Sequence, residues 1–254
     1  MRTPQKDIFF IGFLNDWPVG LTRFLPVSAV VLLCLFAGLG FAVSATQDDP
    51  GDGRFRGDLG RQELTGIVHA LPYPTLWITE GSEMFPESHV MMLSGGGKRG
   101  AMAAEKFDGK LAKVQGLPLT RGDLDMLQLA GGQRRPMEAE GDGPTLPEDE
   151  GLGRWRITGE ICDGKCLAGA MRPGIGLAHK ACANLCLVGD IPPVFATTSP
   201  VEGERFLLMA GPDGGPMPAT MYDFTAVLVE IEGDVLRRGD LLIFRIAPET
   251  MKVL

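Results

Sequence analysis

Two turns of identical sequence, Arg121-Gly122-Asp123 and Arg238-Gly239-Asp240, lie 117 residues apart, each between apolar runs. A short glycine turn between two such runs is the mark of a β-hairpin. Gly116 and Gly233 share the 117-residue offset, and Met92-Leu93-Ser94-Gly95 answers Leu208-Met209-Ala210-Gly211 at 116. Nearer the start of each half, Leu64-Thr65-Gly66-Ile67-Val68 resembles Ile157-Thr158-Gly159-Glu160-Ile161, each a strand with a glycine where a barrel bends or bulges. Repetition of this kind predicts one β unit used twice.

Each half holds about five short strand-like runs, and closing such a sheet on itself removes its exposed edges. The predicted fold is mainly β: an N-terminal transmembrane helix followed by two small OB-like β barrels, residues 62–130 and 153–254. The 35 Gly, 19 Pro and 7% aromatic residues suit short strands and turns. Residues 131–152, rich in Gly, Pro and acid, read as a solvated linker, and 46–61 as a second. From its glycine to its next apolar strand the second half is about 26 residues longer than the first. The extra length is a Cys-containing helical insertion, residues 162–190.

Between Phe24 and Ala45 stand 22 residues without a charge, which as a helix reach about 33 Å, enough for a hydrocarbon core of about 30 Å. Val43-Ser44-Ala45 would also suit a signal-peptidase cut, but the 23 residues before the run make an overlong leader. Retention predicts a single-pass protein of the bacterial inner membrane with its barrels in the periplasm. The bias of Arg2, Lys6 and Arg23 over Arg54 and Arg56 adds only a weak vote for an inside N-terminus. Residues 1–23, with Ile8–Leu14 and Trp17, are expected at the lipid interface or against another membrane subunit. A net charge of −8, from 24 Lys and Arg against 32 Asp and Glu, offers nothing to a phosphate backbone, so nucleic acid is excluded as a partner.

The chemistry is concentrated between Gly159 and Cys186. Cys162 and Cys166 form one C-x3-C pair and Cys182 and Cys186 a second, separated by 15 residues. Leu177–Leu187 has helix formers, which place His179, Cys182 and Cys186 at i, i+3 and i+7 on one face. Asp163-Gly164 makes a turn that returns Cys166 to them. Two chemistries follow. Disulfides among Cys162, Cys166, Cys182 and Cys186 would staple the insertion in an oxidising compartment. Alternatively Cys166, His179, Cys182 and Cys186 hold a metal, since thiolate and imidazole suit Zn or Cu. The twin spacing is similar to that of small mitochondrial intermembrane-space chaperones, whose cysteines pair across a helical hairpin. Here Met171–Gly176 breaks any long first helix.

The pattern G-E-[IV]-x-D-x-x-C followed by H-x-x-C-A-x-x-C resembles a set of uncharacterised bacterial envelope proteins over about 35 residues, matched here by Gly159, Glu160, Ile161, Asp163, Cys166, His179, Cys182, Ala183 and Cys186. The resemblance carries no activity. It implies that Cys166, His179, Cys182 and Cys186 act together and that Cys162 stands apart.

Leu93–Ala101, with its three consecutive glycines, is similar to the oxyanion loop of patatin-like phospholipases, and Asp213-Gly214-Gly215 to their Asp-Gly-Gly segment. That chemistry needs a serine on a G-x-S-x-G elbow, which the sequence lacks. Gly95–Gly97 therefore reads as a turn with Lys98 and Arg99 in solvent. Met91, Met92, Met126 and Met209 fall in strand-like runs and read as core, Cys34 as an apolar filler, and His69 and His89 have no neighbouring carboxylate pattern. With no catalytic constellation, a binding or assembly module, accessory to a membrane protein complex, is favoured over an enzyme. A metal-binding or thiol-redox protein is the alternative.

Overall fold

The computed structural model describes residues 20–46, 51–131 and 137–254. The predicted interfacial segment therefore lies almost wholly outside the described residues. Helix α1 spans Leu21–Thr46, with Pro26 in its second turn. Its stretch Leu21–Ser44 is long and apolar enough to cross a membrane, and Phe24, Leu33, Phe36 and Phe41 are exposed along it. It belongs to one compact unit and the β region to another.

The β region contains β1 (Arg54–Phe55), β2 (Gln62–His69), β3 (Thr75–Glu80), β4 (Val90–Ser94), β5 (Leu111–Arg121), β6 (Leu124–Leu129) and β7 (Met137–Gly141). Five of these close a barrel in the order β2-β3-β4-β6-β5-β2, with β4 and β6 parallel. Next come β8 (Glu150–Asp163), helix α2 (Lys180–Val188), β9 (Pro193–Val201), β10 (Glu204–Ala210), β11 (Leu228–Arg238), β12 (Leu241–Ile246) and β13 (Lys252–Val253). They close a second barrel along the same path, β8-β9-β10-β12-β11-β8, with β10 and β12 parallel. The stretch read as a linker contributes to both sheets: β7 pairs with β5, and β8 already begins at Glu150. In the other presumed linker, β1 pairs with β5.

Gly66 and Gly159 sit in the first strand of their barrels, and a Cβ at either would strike the carbonyl oxygen of Trp77 or Ala196 on the next strand. Register shifts at Thr65/Gly66. Both residues are thus glycine for the same steric reason.

Strand alternation explains why the third and fifth strands read as unbroken apolar runs. On β4 and β6, Met91, Leu93, Leu127 and Leu129 fill the first barrel, as Leu207, Met209, Leu242 and Phe244 of β10 and β12 fill the second. The intervening residues point outward, and the two barrels bury them against each other. Val90, Met92, Leu124 and Met126 thereby share a core with Phe206, Leu208, Leu241 and Ile243. Strands buried on both faces lose the polar half of their pattern.

The two repeated turns clasp this interface reciprocally. Asp240 accepts the N–H of Val90 at the start of β4 (2.8 Å), and Asp123 accepts those of Arg205 and Phe206 at the start of β10 (2.7 and 3.0 Å). Arg238 donates to the Leu71 carbonyl in the β2–β3 connection (2.8 Å), and Arg121 to the Leu167 carbonyl in the β8–β9 connection (3.4 Å). Equivalent surfaces of the two barrels thus face each other, as in a two-fold dimer joined into one chain.

Candidate metal centre

The first two strands of the first barrel are joined by a short loop, β2 ending at His69 and β3 starting at Thr75. In the second barrel the same connection runs from Asp163 to Pro193 and carries Cys166, Cys182 and Cys186, while Cys162 lies on β8. A wide helical turn, Cys166–Ala170, leaves β8; a tight turn at Leu177–His179 then leads into α2. Gly174 folds the intervening loop back, with no room for a Cβ against the Cys166 carbonyl.

This path brings the donors together in two overlapping sets, where the helical spacing predicts His179, Cys182 and Cys186 on one face. Ligand atoms of Cys166, His179 and Cys182 lie within 4.8 Å of one another, and those of Asp163, Cys166 and Cys186 form a second such group. Cys166 is common to both. His179 and Cys186 are buried, and Cys182 is partly exposed. Cys162 faces the inter-barrel core, because successive strand residues point to opposite sides and Asp163 takes the side of the cluster. All five cysteines are free, so the disulfide alternative among Cys162, Cys166, Cys182 and Cys186 is not formed. Cys162 is on the wrong face of β8 to join it.

Asp163 is the residue whose role the sequence did not reveal. Fully buried, it accepts the Cys166 N–H through Oδ1 (2.8 Å) and meets His179 Nε2 through Oδ2 (2.9 Å). One carboxylate thus orients two candidate ligands, and the histidine keeps its other ring nitrogen for coordination.

Two cations enclose the cluster. Lys165 is buried with its ammonium on the Gly95 and Gly97 carbonyls (2.6 and 2.9 Å), and burial holds its pKa down. Lys98 is exposed, as expected, and in addition donates to Cys182 Sγ (2.7 Å), to the Cys182 carbonyl (3.3 Å) and to Cys186 Sγ (3.5 Å). Its hydrogen bond to Cys182 raises its pKa. Cys166 and Cys186 share a hydrogen bond that pushes the Cys166 thiol up and draws Cys186 down. A thiolate beside two lysines is the form that binds metals. A cavity of about 250 Å³, lined among others by Cys166, Met171, Arg172 and Arg121, opens beside the cluster.

The two segments similar to hydrolase loops occupy one structural position. Gly95 N–H donates to the Arg99 carbonyl and Gly211 N–H to the Gly215 carbonyl, the same turn after the third strand of each barrel. His89 lies between Asp125 (3.2 Å) and Asp240 (2.5 Å), carboxylates distant in sequence. No family model, curated protein or solved structure matches this chain.

Proposed function

We propose that the protein is a membrane-anchored metal-binding module, with Cys166, His179, Cys182 and Cys186 as ligands for Zn or Cu(I) and Asp163 as the carboxylate behind the histidine. The observation that carries this reading is the convergence of Cys166, His179 and Cys182 donors around a buried Asp163–His179 pair. Three thiolates and an imidazole form a closed tetrahedral set of the structural kind, and soft sulfur selects these ions over Mg or Ca. The flanking lysines offset the negative charge that three thiolates bring. In this reading the barrels are of the OB type, whose first inter-strand loop is a recurrent ligand site. The hairpins that would share such a face, Arg121–Leu124 and Arg238–Leu241, clasp the opposite barrel instead. Placement in the bacterial inner membrane, with the barrels in the periplasm, completes the proposal and is supported by the apolar helix.

A second reading, an accessory subunit of a membrane protein complex, is favoured by Leu177, Leu185 and Val188, which lie exposed on α2 and the turn before it. Metal binding and docking are compatible, since the cluster fixes the helix that presents these side chains.

The test is metal analysis of the full chain purified anaerobically in detergent without chelator, with Co(II) as a spectroscopic substitute. One ion per chain, with thiolate-to-cobalt absorption lost in Cys166→Ser and Cys182→Ser, is the expected result. A chain that folds and binds neither Zn, Cu(I) nor Co(II) overturns the reading.

A further inference from the structure

The Gly95–Gly100 loop of the first barrel is fixed onto the second barrel's cluster. Gly100 N–H donates to the Gly189 carbonyl at 2.6 Å, Gly189 lies against the Lys98 carbonyl with no space for a Cβ, and Lys165 anchors the carbonyls of Gly95 and Gly97. Lys98 is therefore delivered to Cys182 by its own backbone, although its side chain stays exposed. The Nζ–Sγ separation is 2.7 Å. Nitrogen–oxygen hydrogen bonds span roughly 2.7–3.2 Å, and sulfur is the larger atom, so a hydrogen bond to sulfur sits farther out. The observed separation suits nitrogen and sulfur joined through one intervening light atom. Cys182 is also only partly buried, within reach of a small oxidant.

We propose that Lys98 and Cys182 are a modification site: an oxygen-bridged N–O–S cross-link forms between them on exposure to molecular oxygen and removes Cys182 from the ligand set. The Lys98 ammonium first gives one proton to solvent; the neutral amine and the thiol then each lose one hydrogen, and these leave with one oxygen atom as water. The other oxygen atom is retained between nitrogen and sulfur. Nitrogen and sulfur are each oxidised by two electrons, and dioxygen accepts all four. Two dithiol molecules, each oxidised to its disulfide, supply the four electrons and four hydrogens that return amine and thiol and release the bridging oxygen as a second water. The bond ties the glycine loop of one barrel to the helix of the other, so oxidation closes the site and reduction reopens it. That regulatory consequence rests on the metal-binding reading, whereas the cross-link itself does not.

The full chain is purified anaerobically in detergent and divided, and one portion is equilibrated with air in the presence of chelator. Intact mass should rise by one oxygen less two hydrogens. Tryptic mapping should join the segments containing Lys98 and Cys182, and dithiothreitol should reverse both changes. Lys98→Arg and Cys182→Ser, each checked by circular dichroism for retained β structure, should show no such gain. An unchanged mass, the loss of two hydrogens alone, or oxygen confined to one residue would each overturn the proposal. Metal content is measured on the same samples. A cross-link in a chain that binds no metal when reduced defeats the metal-binding reading alone, and a metal site insensitive to air with no mass change defeats the cross-link alone.

Discussion

Asp163 ends β8 and begins the site, and its neighbour Cys162 shows how much one residue of register decides: one faces the cluster, the other the core between the barrels. Asp163→Asn keeps an acceptor for the Cys166 N–H but replaces the anion facing His179, whereas Asp163→Ala removes both contacts. Outer carboxylates of this kind are worth roughly 10–100-fold in metal affinity. Competition titration with a chromophoric chelator should show that loss in Asp163→Asn and a larger one in Asp163→Ala. If both variants bind metal like the parent, the carboxylate does not position the histidine. That Cys166, His179, Cys182 and Cys186 meet in one region was legible from their spacing, but not that they fall into two overlapping sets, His179 and Cys182 in one and Cys186 in the other. Lys98 was not legible either, since it reaches Cys182 from 84 residues away through a contact between barrels. No spacing rule carries that information.

Among the elements, α2 separates its faces within a few residues. Leu187 is 2% exposed and packs in the second barrel's core, while Leu185 is 60% exposed. Truncation of a buried leucine costs about 2–5 kcal/mol, and an exposed one stays within about 0.5 kcal/mol. Urea denaturation of Leu187→Ala should show the large loss and Leu185→Ala almost none, and equal effects would mean that α2 is docked the other way round. The strands were legible as apolar runs, and the glycines that bend them were legible from the repeat. The edge strands were not: apart from Phe55 and Met137, which pack on the core, β1 and β7 carry the polar composition of linkers and are held by backbone pairing to β5. Composition distinguishes burial from exposure, and an exposed strand hydrogen-bonded on one edge looks like a loop.

Across the whole molecule, the repeat announced two similar units, and the structure adds how they join. Each Arg-Gly-Asp turn, legible only as a hairpin, reaches across to the start of the other barrel's third strand. The symmetry is broken at one position: Val90 follows His89, whereas Phe206 follows Arg205. His89 pairs with Asp240 of the second barrel and Asp125 of the first. Burial opposes its charge, but the two carboxylates outweigh that cost and hold its pKa up at about 9. An unfolded histidine titrates near 6.5. Because the folded value is the higher one, the stabilisation is fully present below about pH 6.5 and is lost as pH rises through about 9. Asp240 shows the partner effect: burial raises its pKa, His89 pulls it down, and the net shift is downward. The fall in stability should register at the contact between barrels, since Asp240 also holds the Val90 N–H. Denaturant midpoints measured from about pH 6 to about pH 9.5 should therefore fall with rising pH in the parent and flatten in His89→Gln, which keeps a polar side chain without the titrating charge. A parent and variant that decline in parallel would place the pH-sensitive charge elsewhere and leave His89 as a neutral packing residue.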